Sequence, residues 1–166
     1  MNRRIAAACV TSLALVLTGC TSGTGQKTGT EETITEDEAA DKAQEHIDNA
    51  TAVLPDGAEL EDRNGVTTAS CDDPTDGGPK ERVTVSVNYW IRGLAVEDNE
   101  ANVDLLHEYW TANGYQVLTD SRPDDLYVSV GHEEDSFVVS VQESNQGSLS
   151  MSAASPCVWP DGEPSS

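Results

Sequence analysis

Few residues in this chain have the types and spacing that chemistry needs. The three histidines, His46, His107 and His132, lie far apart. His107-Glu108 begins like the H-E-x-x-H zinc motif, but position 111 is Thr. One imidazole then reaches the helix face, where metallohydrolase chemistry needs two and a third ligand. His132-Glu133-Glu134-Asp135 offers loose coordination to a divalent ion and otherwise reads as a solvated turn, while His46 falls on the polar side of a predicted helix. Asp72, Asp73 and Asp76-Gly77 follow the start of a calcium loop. Pro74 and Val83, however, occupy the third and twelfth positions, where a carboxylate and the bidentate Glu belong. There is no G-x-S-x-G elbow, no P-loop and no G-x-G-x-x-G. A Ser-His-Asp set gathered in space from distant positions stays open. The sequence therefore marks no catalytic, cofactor-binding or metal-ligating residue, and no cofactor is expected. It does mark a partner contact: Trp90, flanked by Asn88 and Arg92 and extended by Tyr127, on an uncovered sheet face. The alternative is a Trp packed locally beneath a loop or the C-terminal tail.

The elements that must hold these residues are legible from periodicity. Thr35-x-x-Glu38 is a capping box, in which the hydroxyl and the carboxylate each satisfy an orphan amide. Ala39, Ala40, Ala43, Ile47, Ala50 and Leu54 then recur at helical spacing until Pro55. A short strand is predicted over 66–71, followed by a turn-dense loop over 72–79. Over 82–93, Val83, Val85, Val87, Tyr89 and Ile91 alternate with polar residues and Trp90, the pattern of a sheet covered on one side. Asn99 is placed to cap a second helix over 100–112 with the stripe Val103, Leu106, Trp110, closed by Gly114. Strands over 115–119, 126–130, 137–142 and 147–153 have short connections and form an antiparallel meander. The order α-β-β-α-β-β-β-β predicts an α+β domain: a single antiparallel sheet of about five to six strands with two helices packed on one face.

The ends of the chain bear on where it works. Arg3 and Arg4 precede a 13-residue apolar stretch, Ile5–Leu17. A membrane span needs about 20 residues, so this is a secretory signal. Leu17-Thr18-Gly19-Cys20 resembles the bacterial lipobox, which implies cleavage before Cys20 and diacylglycerol on its sulfur. Two acyl chains suffice for stable anchoring. The expected organisation is a signal peptide over 1–19, lipidated Cys20 with a Thr/Gly/Ser tether over 20–33, one domain over 34–160 and a disordered tail over 161–166. Of four cysteines, Cys9 leaves with the signal and Cys20 carries lipid. Cys71 and Cys157 remain, and in an exported chain two leftover cysteines predict a disulfide. Loss of Arg3 and Arg4 reduces nine basic residues to seven and takes the formal charge from −21 to −23. Nucleic acid is excluded, since phosphate binding needs clustered Lys and Arg. The acidity suits a soluble exported monomer, or a surface that receives a cationic peptide, a polyamine or a metal ion.

The lipobox, the Thr/Gly spacer, the Ala-rich helix, the central strand, Trp110-Thr-Ala-Asn-Gly-Tyr115 and Ser155-Pro156-Cys157 together resemble small lipoproteins of Streptomyces-like actinobacteria. The resemblance implies lipidation at Cys20 and the Cys71/Cys157 pair, and carries no activity. The reading is a lipid-anchored, non-enzymatic module on the outer face of the cytoplasmic membrane, binding an unknown protein, peptide or envelope partner. A cell-envelope hydrolase with a dispersed site and a structural lipoprotein without ligand are the alternatives.

Overall fold

The computed structural model describes residues 31–71 and 81–164. Residues 1–30, which hold the expected signal, Cys20 and most of the expected tether, and residues 72–80, which hold the predicted turn-dense loop, lie outside the described residues. Helix α1 (Glu36–Thr51) is followed by β1 (Glu59–Asp62), β2 (Thr67–Ser70) and β3 (Val83–Arg92). A single 3-10 turn (Val96–Asp98) leads into α2 (Asn99–Ala112). Strands β4 (Tyr115–Asp120), β5 (Tyr127–His132), β6 (Val138–Glu143) and β7 (Leu149–Ala154) complete the chain.

The fold is α+β, with one antiparallel sheet ordered β1-β3-β7-β6-β5-β4 and β2 also paired to β3. β1 and β2 share one edge of β3: β1 pairs with its residues 89–92 and β2 with 83–86. β1 is a strand that periodicity does not announce. Its sequence, Glu-Leu-Glu-Asp, has one apolar residue, and its pairing comes from the ready-made edge of β3. The meander β4-β5-β6-β7 is antiparallel throughout, as expected.

The register explains the core. Tyr89, Met151, Val141 and Val128 lie in one row across four strands, and Val87, Ala153, Val139 and Val130 in the next. Against this face pack the α1 stripe (Ala39, Ala43, Ile47, Ala50) and the α2 stripe (Val103, Leu106, Trp110). Small side chains let α1 sit close to the sheet, so that the Tyr89 hydroxyl donates to Gln44 Oε1 at 2.5 Å. No helix among the described residues is long and apolar enough to cross a membrane.

The capping box is present in full: Glu38 N–H donates to Thr35 Oγ1 (3.2 Å) and Thr35 N–H to Glu38 Oε2 (2.9 Å). Two expectations shift. α1 ends at Thr51, although Leu54 still packs into the core. Asn99 does not cap α2. Its side chain is buried and its Nδ2 donates to Glu143 Oε1 (2.6 Å) and to the Gly147 carbonyl (2.8 Å), pinning the helix start to the β6–β7 connection. Gly114 takes the left-handed conformation (φ 82°) that closes α2.

Packing reaches beyond 34–160 at both ends. Thr33 N–H donates to the Gly162 carbonyl (2.8 Å), Trp159 N–H to Thr33 Oγ1 (2.8 Å), and Trp159 Nε1 to the Glu31 carbonyl (3.1 Å). Cys71 and Cys157 form the predicted disulfide, with Cα atoms 5.9 Å apart. Cys71 follows β2 and Cys157 follows β7, so the bond ties both flanks of β3 together.

Candidate functional site

The inward faces of α1, β4 and β5 converge where β4 begins and β5 ends. His46 lies three residues after Ala43 and four before Ala50, on the buried stripe of α1. It is 8 % exposed, which corrects its placement on the polar side of the helix. His132 continues the inward alternation Val128, Val130, His132 of β5, and the sheet register sets it opposite Tyr115. The β5–β6 turn is closed by Ser136 N–H to the His132 carbonyl (2.9 Å) and His132 N–H to the Phe137 carbonyl (2.8 Å). Ser136 adopts φ 65°, an uncommon conformation for a residue with a side chain. The turn aims the Asp135 carboxylate back at the two imidazoles instead of into solvent.

Asp135 is the hub. Its Oδ1 lies 2.7 Å from His132 Nδ1 and accepts the Phe137 N–H at 3.3 Å. Its Oδ2 lies 3.2 Å from His46 Nε2 and 3.4 Å from Lys42 Nζ. His46 Nδ1 lies 2.6 Å from the Tyr115 hydroxyl. The rings crowd together, with His46 and His132 centroids 5.0 Å apart and Tyr115 and His132 centroids 4.7 Å apart.

Charge decides the proton positions. Burial alone would raise the Asp135 carboxyl, but hydrogen bonds from His132 and the Phe137 amide, with both imidazoles nearby, hold it below its ordinary value. Burial lowers His46 below 6.5 against the pull of Asp135, so the ring is neutral at pH 7. Burial, reinforced by Tyr109, Asp135 and Glu45, pushes Tyr115 well above 10 and keeps its hydroxyl protonated. An ionised Asp135 then accepts His46 Nε2–H, and His46 Nδ1 accepts the Tyr115 O–H.

These groups face a cleft of about 340 Å³, lined in addition by Glu45, Asn49, Tyr109, Asn113 and Glu134. A more apolar cavity of about 210 Å³ adjoins it, sharing Lys42 and Asp135 and bounded by Ile34, Phe137, Pro156 and Val158 among others. No Ser, Thr or Cys lines the 340 Å³ cleft among the described residues.

The residues marked on sequence grounds lie elsewhere. Trp90 and Tyr127 share one row of the uncovered face, separated by Ser150 and Gln142. Asn88 is in the next row, with Ser152, Ser140 and Ser129. Two strands intervene, so Trp90 and Tyr127 are about 14 Å apart at ordinary strand spacing. Trp90 is half-buried: the Arg63 guanidinium lies 4.0 Å and that of Arg92 5.1 Å from its ring centroid. Arg92 is itself tied to Glu61 at 2.8 Å. Its ring is thus engaged within the domain. His107 stands apart from the other histidines, 3.8 Å from Asp120 Oδ2. Cys20 and the Asp72, Asp73, Asp76 loop lie outside the described residues.

No family model, curated protein or solved structure matches this chain.

Sequence reasoning passed over His46, Tyr115 and Asp135 as a group. The signals were the position of His46 within an Ala/Ile stripe and the extension of β5 alternation to His132. Nothing in the sequence distinguishes Asp135 from Glu133 and Glu134.

Proposed function

We propose that this chain is an exported domain, anchored by lipid at Cys20 on the outer face of the cytoplasmic membrane, that binds a small polar or ionic ligand in the Asp135 cleft. One observation carries the reading. His46, Tyr115, His132 and Asp135 converge from three separate elements and a turn onto one cleft, around a carboxylate held ionised. Anchoring is supported by the lipobox and its signal segment, and the likeness to small actinobacterial lipoproteins points the same way. Binding is favoured over acyl transfer because, among the described residues, the cleft offers no hydroxyl or thiol nucleophile except Tyr109 and Tyr115, both of which burial keeps protonated.

The hydrogen-bonded series Asp135–His46–Tyr115 favours a second reading, an envelope hydrolase with His46 as base. Turnover of ester, phosphoester or glycan probes that is lost in His46→Gln supports the hydrolase.

Two experiments test the first reading. Cys20→Ser should release the protein from membranes and remove a diacylglycerol adduct from its mass; unchanged membrane association contradicts the anchor. A thermal-shift screen of metal salts, polyamines, amino acids and sugars should give at least one hit that His132→Gln abolishes. Hits indifferent to that substitution, or none, overturn the cleft.

A further inference from the structure

We infer that His46, His132 and Asp135 form a site for one divalent late-transition-metal ion of the zinc type, open on its remaining side to the cleft. The inference rests on the cleft reading above and names its ligand. One donor atom from each of the three residues lies within 4.8 Å of the other two. Metal–nitrogen and metal–oxygen bonds of about 2.0–2.2 Å at tetrahedral angles place donors roughly 3.3 Å apart. His46 Nε2 and Asp135 Oδ2 are 3.2 Å apart, and His132 Nδ1 and Asp135 Oδ1 are 2.7 Å apart. Small rotations of the partly exposed His132 and Asp135 open room for an ion. Two imidazoles and one carboxylate select zinc, nickel or copper over magnesium and calcium, which prefer all-oxygen shells. Three protein ligands leave a position for water or for a ligand entering the cleft.

Two further features fit. A ligating imidazole normally fixes its other nitrogen by a hydrogen bond, and the Tyr115 hydroxyl meets His46 Nδ1 at 2.6 Å. On ion binding, the His46 proton moves from Nε2 to Nδ1 and donates to the Tyr115 oxygen. Lys42 supplies the second feature. Its ammonium, 43 % exposed on a flexible stem, sits 3.4 Å from Asp135 Oδ2, where it neutralises the carboxylate. An arriving cation displaces it toward solvent, so Lys42 competes with the ion.

The test titrates zinc sulfate into the full chain in detergent, with Cys9→Ser and Cys20→Ser so that no free thiol binds and the Cys71–Cys157 bond intact. Calorimetry should show one saturable equivalent, with magnesium and calcium silent. His132→Gln, at a half-buried position, should weaken binding at least tenfold while circular dichroism stays unchanged. Lys42→Ala should tighten it several-fold, a change that misfolding cannot produce. Absence of a saturable equivalent, or one that neither substitution moves, overturns the metal assignment. If zinc is silent but another ligand gives a His132→Gln-sensitive thermal shift, the metal assignment fails and the cleft stands. If no ligand does so, both fail.

Discussion

Replacing Asp135 with Asn keeps the shape of the hub and removes its charge. In the native site Oδ1 faces His132 Nδ1 and the Phe137 amide, and Oδ2 faces His46 Nε2 and Lys42. An amide has one acceptor edge, so its NH₂ must face one of those donor pairs. The best orientation keeps the oxygen toward His132 and turns the NH₂ toward His46, whose Nε2 becomes an acceptor while Nδ1–H donates to Tyr115. Bonds to an ionised acceptor contribute about 1.5–3 kcal/mol and neutral ones about 0.5–1.5 kcal/mol. The change therefore costs about 1 kcal/mol at His132 and about 1 kcal/mol at His46. The half-exposed Lys42 pair adds less than about 0.5 kcal/mol. Asp135→Asn should thus destabilise the domain by about 2 kcal/mol, a fall in Tm of roughly 8 °C for a domain of this size. Asp135→Ala leaves two ring N–H groups and an amide without an acceptor, and should cost about 4 kcal/mol or more. The assay is urea unfolding at pH 7.5 with EDTA present, so that no metal contributes. Asn and Ala variants both within about 0.5 kcal/mol of the parent would refute the hub. Equal, large losses would show that the charge carries the hub and that a neutral acceptor does not replace it.

Three other outcomes follow from the structure. Arg122 donates to Asp120 through Nε (2.9 Å) and Nη2 (2.6 Å) and also contacts Asp104, and its hydrogen bonds lower Asp120 from 3.8 to about 2. A depressed folded-state pKa contributes stability above the unfolded value and loses it as pH falls. The stability gap between the parent and Arg122→Gln should therefore hold above about pH 4 and close toward pH 2. Exposure limits that gap to under about 1 kcal/mol, and a gap that widens on acidification contradicts the assignment. Reducing the Cys71–Cys157 bond, with its sequence separation of 86, should destabilise by about 4–5 kcal/mol on chain-entropy grounds, read as a shift of the urea midpoint. Trp110 is fully buried with no hydrogen-bond partner at Nε1. Trp110→Phe sheds that orphan donor while losing some packing, so its net cost should be within about 1 kcal/mol, against about 3–5 kcal/mol for Trp110→Ala.

The architecture was legible because its signals are local. The capping box at Thr35, the alternation of Val83 to Ile91 and the stripe Val103, Leu106, Trp110 each follow from one element's own period. β1 was not legible, because Glu59–Asp62 is a strand only by virtue of the β3 edge beside it. Asn99 read as a cap because its type suits one; its actual role, a bond to Glu143, spans 44 residues. The cleft failed for the same reason. His46 and His132 sit on core periodicities, but a polar residue on a core stripe shows its purpose only when its partner is known. That partner, Asp135, is one acid among three in a turn, and its inward orientation is seen only in its contacts with His132, the Phe137 amide and His46. The open-face reading ran the other way. Trp90 lies on the sheet face opposite the helices, and periodicity does not show that Arg63 and Arg92 lie against its ring.

The central claim is that ligands enter at His46 and His132 and leave His107 untouched. Long-range ¹H–¹⁵N spectra of the three imidazoles, recorded as each thermal-shift hit is added, test it directly. The account predicts that the His46 and His132 ring signals move together and saturate while those of His107, beside Asp120, stay in place. Movement of His107 alone, or stationary His46 and His132 signals in the presence of a bound ligand, would contradict it.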